Sequence, residues 1–202
     1  MSTVATADNL PAHHEHHYDG SIRVFGFWIY IMSDCVLFAT LFACYAVFHT
    51  HTFGGAGAKE LFSLPFVFVE TMFLLCSSFT YGLAMLSRNS GSISRITGWM
   101  WVTVILGLCF VAMEFYEFHE LYTEGHSWAA SAFLSSFFAL VATHGLHVSI
   151  GIIWIISMIF QLRIYGITPL SKTKLTYLGL FWHFLDVVWI FVFSVVYLMG
   201  AI

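Results

Sequence analysis

The sequence predicts an all-α membrane protein, a bundle of five transmembrane helices. Hydrophobic residues make up 59% of its 202 residues, and Asp, Glu, Lys and Arg together only 9%, against about 25% charged residues in a typical soluble domain. A water-soluble fold of this length could not bury so much apolar surface. A bilayer core of about 30 Å requires about 20 apolar residues in a helix, and five separate runs reach that length.

The five predicted spans are separated by short polar or glycine-rich breaks, none long enough for an extramembrane domain. They cover about residues 24–48, 62–86, 96–117, 132–160 and 175–199. Residues 24–202 are therefore predicted to form one transmembrane domain. Residues 1–23 are predicted to be a disordered, His-rich cytoplasmic tail without the apolar core of a signal peptide. Its run HHEHH at 13–17 could bind a divalent metal ion, but no second ligand cluster accompanies it.

The basic residues predict the orientation of the spans. Lys59 lies on one side of the predicted spans, and all the others lie on the opposite side: Arg23, Arg88, Arg95, Arg163, Lys172 and Lys174. Basic residues collect on the cytoplasmic side of bacterial membrane proteins. The N-terminus is therefore predicted to be cytoplasmic and the C-terminus periplasmic.

Several classes of function are excluded or unsupported. A net charge of −4 offers no basic surface for nucleic acid. The chain has no glycine-rich phosphate loop, no GxSxG and no HExxH motif. The cysteines lie inside apolar runs and are predicted to be small buried hydrophobic residues; they are Cys35, Cys44, Cys76 and Cys109. No catalytic residue and no metal-binding or cofactor-binding residue is predicted in this chain.

Seven ionisable residues fall inside the predicted spans, where each costs several kcal/mol unless it is paired or hydrated. They are Asp34, Glu70, Glu114, His144, His147, His183 and Asp186. We predict that they are buried and structural, each satisfied by a neighbouring helix. A proton relay, a metal or haem site and a polar seam to another subunit remain open alternatives.

Helical spacing and depth suggest how some of these groups pair. His183 and Asp186 share one helix face, and so do His144 and His147, because residues three apart are neighbours on a helix. Glu70 and His144 lie at similar predicted depths, which predicts a hydrogen bond between them. His144 and His183 are also at similar depths, so a membrane cytochrome with a single bis-histidine haem is conceivable. A small transporter is a further alternative.

Several motifs resemble those of haem–copper oxidase subunit III. Residues 182–189 read WHFLDVVW, as in the last helix of that family, and residues 143–148 read THGLHV, as in its penultimate helix. VET at 69–71 resembles the family's intramembrane glutamate, and MEFYE at 113–117 resembles the end of its middle helix. Residues 25–35, FGFWIYIMSDC, resemble the first helix of subunits from cytochrome bo-type ubiquinol oxidases.

The resemblance implies a non-catalytic subunit III of a proton-pumping quinol oxidase in the bacterial inner membrane. Such a complex oxidises ubiquinol and reduces oxygen to water. The resemblance implies haems and copper in subunit I, and partners in subunit I, subunit II and a small subunit IV. The alternative within the family is subunit III of a cytochrome c oxidase. Cytochrome c oxidase subunit III of the mitochondrial type has seven helices, and this chain lacks the first two.

Bound phospholipid is a further expectation. Four basic residues on the predicted cytoplasmic side could hold lipid head groups, each contributing about 1 kcal/mol near the surface. They are Arg88, Arg95, Lys172 and Lys174. The alternative is that they serve only as topology signals. Small residues within the spans are predicted to allow close approach of helices; they are Gly82, Ala84, Gly107, Ala139, Gly145, Gly151 and Gly179.

Overall fold

The fold, described here from a computed structural model, is all-α and has five long apolar helices, as the sequence predicts. The structure describes residues 13–49, 64–88, 92–123 and 131–198, with no strand among them. The helices are α1 His13–Phe48, α2 Leu64–Ser87, α3 Ile93–Thr123, α4 Ala132–Tyr165 and α5 Pro169–Val192. A π-helical turn, Phe193–Leu198, continues α5. All five helices are long and apolar enough to cross a membrane, so the chain is a multi-pass membrane protein.

Helix α1 begins earlier than the sequence predicts. Residues 13–23 were expected to belong to the disordered tail, but the backbone is helical from His13 onward. Extending an existing helix requires no new nucleus, which is the costly step of helix formation. The remaining part of the predicted tail, residues 1–12, lies outside the described residues.

The starts and ends of α4 and α5 follow local sequence signals. The Ser131 hydroxyl accepts a hydrogen bond from the Leu134 backbone N–H at 3.1 Å, which caps the start of α4. At the other end, Gly166 adopts a φ of +71°, where a side chain would be strained. The Thr168 hydroxyl then caps α5, and Pro169 occupies its first turn.

Residues up to Leu37 form one compact unit, which includes the first part of α1. Within it, the Ser33 hydroxyl donates to the Tyr30 carbonyl at 2.7 Å, and Tyr30 forms a side-chain hydrogen bond with Asp34. Asp34 has 7% of its surface exposed. The remainder of the chain, from Phe38, forms the second unit.

In the second unit, α2 to α5 form a closed ring of contacts. Helix α2 packs against α3 and α5, α3 packs against α4, and α4 packs against α5. Trp182 and Trp189 are the largest fully buried side chains among the described residues, and the Trp182 indole N–H donates to the Ser77 hydroxyl at 3.2 Å. A Cβ atom on Gly151 would lie only 2.8 Å from the Trp182 ring. The glycine therefore allows α4 and α5 to approach each other closely, as predicted.

The cysteines differ from the prediction. Cys35, Cys44 and Cys76 are exposed on the surface of the chain, and Cys109 is half-buried. A thiol is only weakly polar and behaves as a small hydrophobic group, so it can face the lipid side of a helix at little cost. An apolar run in the sequence does not separate a lipid-facing residue from a core residue.

Candidate functional site: a buried acidic core and a surface histidine

Three glutamates from two helices meet inside the second unit. Glu70 of α2 is fully buried, and Glu114 and Glu117 of α3 have 4% and 7% of their surface exposed. The three carboxyl groups lie within electrostatic reach of one another. The Tyr197 hydroxyl donates a hydrogen bond to Glu117 Oε2 at 3.0 Å. We call Glu70, Glu114, Glu117 and Tyr197 the acidic core.

Glu114 depends on a glycine of the neighbouring helix. A Cβ atom placed on Gly145 of α4 would overlap the Glu114 carboxyl group. Neither Glu70 oxygen has a hydrogen-bond partner among the described residues, and neither has Glu114 Oε1. Unsatisfied buried polar groups of this kind are costly and are concentrated at functional or strained positions.

The predicted hydrogen bond between Glu70 and His144 is wrong for this structure. His144 is fully buried, but within the described part of the chain neither of its ring nitrogens has a hydrogen-bond partner. Its ring instead packs against Trp189, with centroids 5.1 Å apart, and meets Phe110 edge-on at 5.9 Å. Depth along the helix is similar for the two residues, but the direction in which each side chain points is set by helix rotation.

Two other predicted buried histidines differ from the prediction. The side chain of His183 is 53% exposed on this chain, while Asp186 beside it is buried. Ser78 Oγ lies 2.6 Å from His183 Nδ1, and Asp186 Oδ2 lies 3.7 Å from the same nitrogen. The predicted pairing of His183 with Asp186 is therefore present as a weak ion-pair geometry, but at the protein surface. His183 lies one residue after the buried Trp182, and this phase directs its ring outward.

His147 is half-buried rather than buried. Its Nδ1 lies 2.7 Å from the Thr143 carbonyl oxygen of the same helix, and its ring lies 5.2 Å from that of Phe38. The polar group is thus satisfied within α4.

A single haem between His144 and His183 has no geometric support. His144 is enclosed by aromatic rings, whereas His183 lies at the surface and is bonded to Ser78. In the part of the chain that the structure describes, no three His, Cys, Asp or Glu side chains are placed to hold a metal ion. The side chains of the HHEHH run at 13–17 lie outside the described part of the chain.

Two of the four predicted head-group residues share a polar cavity. Arg88 and Lys172 line a cavity of about 380 Å³ together with Thr173 and Thr176. Arg88 donates to the Thr176 hydroxyl at 3.2 Å. Lys174 instead donates to the Gln161 side chain at 3.1 Å, and Arg95 is exposed on α3.

Sequence reasoning missed several members of these sites. The sequence predicts no polar role for Glu117 or Tyr197, nor for the hydroxyl groups of Ser78, Thr173 and Thr176. The signal for Glu117 was available, because it lies three residues after Glu114 and so shares its helix face. Nothing in the sequence marks Ser78 as the partner of a residue 105 positions away.

Comparison with known proteins gives consistent matches across the chain. Residues 2–201 match the family described as "Cytochrome c oxidase subunit III". The chain is 52% identical over 200 residues to "Cytochrome bo(3) ubiquinol oxidase subunit 3" of Pseudomonas aeruginosa, covering 98% of this chain and 96% of that protein. It is 54% identical over 186 residues to the protein of the same name from Pseudomonas putida, covering 92% and 90%. "Cytochrome c oxidase subunit 3" of Bacillus sp. strain PS3 is 41% identical over 199 residues, covering 98% and 96%.

Proposed function

Because the chain belongs to the cytochrome c oxidase subunit III family, we propose that it is the non-catalytic third subunit of a proton-pumping terminal quinol oxidase. The observation that carries this proposal is the 52% identity, over nearly the whole chain, to a subunit named for a ubiquinol oxidase. The complex would oxidise ubiquinol, reduce oxygen to water and take part in aerobic respiration. It would reside in the bacterial inner membrane.

The proposed partners are subunit I, subunit II and a small subunit IV, with the haems and copper in subunit I. The two histidines that could share a haem have unlike surroundings: His144 is packed between rings and His183 is at the surface. Its contribution would be structural. The acidic core is held by close contacts such as that between Glu114 and Gly145, and a rigid subunit of this kind can extend the working life of its catalytic partner.

Purification through an affinity tag on this chain tests the proposal. We expect the haem-containing subunits to co-purify and the preparation to oxidise ubiquinol-1 with oxygen as the acceptor. Oxidation of reduced cytochrome c but not of ubiquinol would favour the alternative, a cytochrome c oxidase. A preparation containing this chain alone and no haem would contradict both.

The orientation remains part of the proposal. We place the N-terminus in the cytoplasm and the C-terminus in the periplasm, from the distribution of basic residues. Alkaline phosphatase is active only in the periplasm, so a fusion to the C-terminus should be active. An inactive phosphatase fusion with a fluorescent cytoplasmic fusion at the same site would reverse the assignment.

We also propose that Arg88 and Lys172 bind an anionic phospholipid head group. Two cationic side chains and two threonine hydroxyls line one cavity at the end of α2 and the start of α5, and each cation contributes about 1 kcal/mol to attraction by anionic lipid. Arg95 and Lys174 lie outside this cavity, so their proposed contribution is weaker and is that of the surface charge alone.

The double variant Arg88→Gln, Lys172→Gln should reduce phospholipid that co-purifies with the complex and shorten its turnover lifetime. The matched control is Arg95→Gln, Lys174→Gln, which removes the same charge from neighbouring positions. Equal lipid content in the two double variants would show that the cavity is not a head-group site. A topology assay on both variants separates a lipid effect from loss of an orientation signal.

A further inference from the structure

The outward-facing side of α5 has a polar side chain at its centre. His183 lies 14 residues after Pro169 and 15 before Leu198, so it is about 20 Å from either end of the helix. Its side chain is 53% exposed. The other exposed residues along this stripe, Leu180, Val187 and Ile190, are all apolar. A polar group at this depth costs several kcal/mol if it faces only hydrocarbon.

His183 is held in place by two other polar side chains. Its Nδ1 lies 2.6 Å from Ser78 Oγ and 3.7 Å from Asp186 Oδ2. The Asp186 Oδ1 atom is buried and has no hydrogen-bond partner among the described residues. Both polar contacts of the imidazole are made through Nδ1, and the ring meets that of Tyr81 edge-on with centroids 6.3 Å apart. Nε2, on the opposite side of the ring, is directed away from Ser78 and Asp186. The three residues therefore form a positioned polar group with capacity for one more hydrogen bond.

The surroundings of His183 have the spacing of a helix-packing surface. On α5, Leu180, His183, Val187 and Ile190 are three, four and three residues apart. This alternation of three and four is the pattern of residues that pack against another helix.

A second stripe runs along α2, which packs against α5. Its exposed residues Leu75, Phe79, Gly82 and Leu86 are four, three and four apart. Outside its own stretch of helix, no described atom lies within 4 Å of the position that a Cβ on Gly82 would occupy. An exposed glycine in such a stripe lets another helix approach closely. We call these two stripes together the α2–α5 face.

We propose that the α2–α5 face binds a transmembrane helix of another oxidase subunit, and that this helix carries a hydrogen-bonding side chain opposite His183. The inference rests on the proposed function, since it assumes that the chain is part of an oxidase. A phospholipid does not fit as the occupant, because its head group stays at the surface of a hydrocarbon core whose middle is about 15 Å away, and its acyl chains cannot hydrogen-bond. In a two-fold dimer of this chain, two identical Nε2 atoms would face each other at the same depth. With Ser78 donating to Nδ1, both Nε2 atoms would be N–H donors with no acceptor between them.

Photo-cross-linking in the intact complex tests which molecule covers this face. The photoreactive residue p-benzoylphenylalanine replaces Phe79 in one variant and Val187 in another, and both positions are exposed beside the Ser78–His183 pair. We expect both variants to give a covalent product with the same partner subunit after illumination. Products with lipid only, or a covalent dimer of this chain, would overturn the proposal.

Substitution of His183 tests the hydrogen bond itself. His183→Phe should lower the fraction of tagged chain that retains the haem-containing subunits in detergent several-fold, while His183→Gln should retain them, because the amide can still bond across the interface. His147→Phe is the matched control, since His147 is bonded to its own helix. The amount of each variant in the membrane before extraction separates lost assembly from lost folding. Equal retention by His183→Phe and the control would overturn the proposal.

These experiments distinguish an error in the proposed function from an error in the proposed α2–α5 face. If the unmodified tagged chain brings down no haem-containing subunit, the proposed function fails and the partner with it. If the complex is purified intact but positions 79 and 187 react only with lipid, the proposed function stands and the α2–α5 face is wrong.

Discussion

His144 and His183 lie within the membrane spans of adjacent helices, but their surroundings are opposite. His144 is fully buried, packed between Trp189 and Phe110, and makes no hydrogen bond with any described residue. His183 is half-exposed but close to both Ser78 and Asp186. The buried histidine is thus held by packing and the exposed one by polar contacts. Depth in the membrane therefore does not reveal whether a polar residue is held by packing or by hydrogen bonds.

The strongest way to disturb the buried region is to fill the space beside Glu114. Gly145→Ala places a Cβ where the Glu114 carboxyl group lies, and overpacking of this kind costs about 1–3 kcal/mol. We expect the fraction of the chain that remains soluble in detergent after heating to fall markedly. Gly98→Ala is the matched control, because outside its own stretch of helix its Cβ would meet no described atom within 4 Å.

The overlap itself can be separated from a general effect of alanine. Combining Gly145→Ala with Glu114→Ala removes the group that is overlapped, so the double variant should lose less stability than the sum of the single variants. Strict additivity of the two changes in thermal resistance would mean that the Gly145–Glu114 contact is not the cause.

The variant His144→Phe tests whether packing alone holds the buried histidine in place. His144→Phe keeps a ring between Trp189 and Phe110 and removes two nitrogens that have no described partner. Replacing an unsatisfied buried polar group by an apolar one is neutral or stabilising, so thermal resistance of the purified complex should be unchanged or raised. A loss of more than about 1 kcal/mol in unfolding free energy would show that His144 does make a polar interaction.

The sequence predicts the fold well because the physical signal for it is strong. Five long apolar runs determine the number of spans, and their bounds agree with the helices to within a few residues at most ends. Gly145 and Gly151 were correctly predicted as places of close approach, because small residues serve that purpose in lipid. Gly82 shows the limit of that argument: it is exposed, and none of the described residues of other helices lies within 4 Å of an added Cβ.

The pairing of side chains could not be predicted from one sequence. Predicting a Glu70–His144 bond requires knowledge of how α2 and α4 are rotated about their axes. An apolar run of uniform hydrophobicity does not determine that rotation. The same ambiguity led to the prediction that His183 is buried. In a soluble protein an amphipathic pattern would separate the two faces, but in a membrane both the core and the lipid-facing surface are apolar.

A buried hydrogen bond in the acidic core provides the next test. Tyr197→Phe removes the hydroxyl that donates to Glu117 and leaves that carboxyl oxygen buried without its donor. Leaving a buried acceptor unsatisfied costs about 1–3 kcal/mol, and we expect a decrease in that range in the free energy of SDS-driven unfolding. Tyr45→Phe is the control: its hydroxyl lies at the longer distance of 3.4 Å from the Val196 carbonyl. An equal loss in both variants would contradict a specific role for the Tyr197–Glu117 bond.

A smaller loss than that of Tyr197→Phe is expected at the surface, where Ser78→Ala removes the hydroxyl beside His183. Hydrogen bonds between membrane helices are worth about 0.6 kcal/mol on average, and a half-exposed imidazole can turn to find another partner. The isolated chain should therefore lose less unfolding free energy from Ser78→Ala than from Tyr197→Phe. In the assembled complex the difference between the two losses of unfolding free energy should become smaller. Ser78 then also helps to hold His183 toward its partner on the α2–α5 face. Measuring both variants alone and in the complex separates these contributions: if assembly leaves the effect of Ser78→Ala unchanged, the hydroxyl stabilises only its own chain and plays no part in orienting His183.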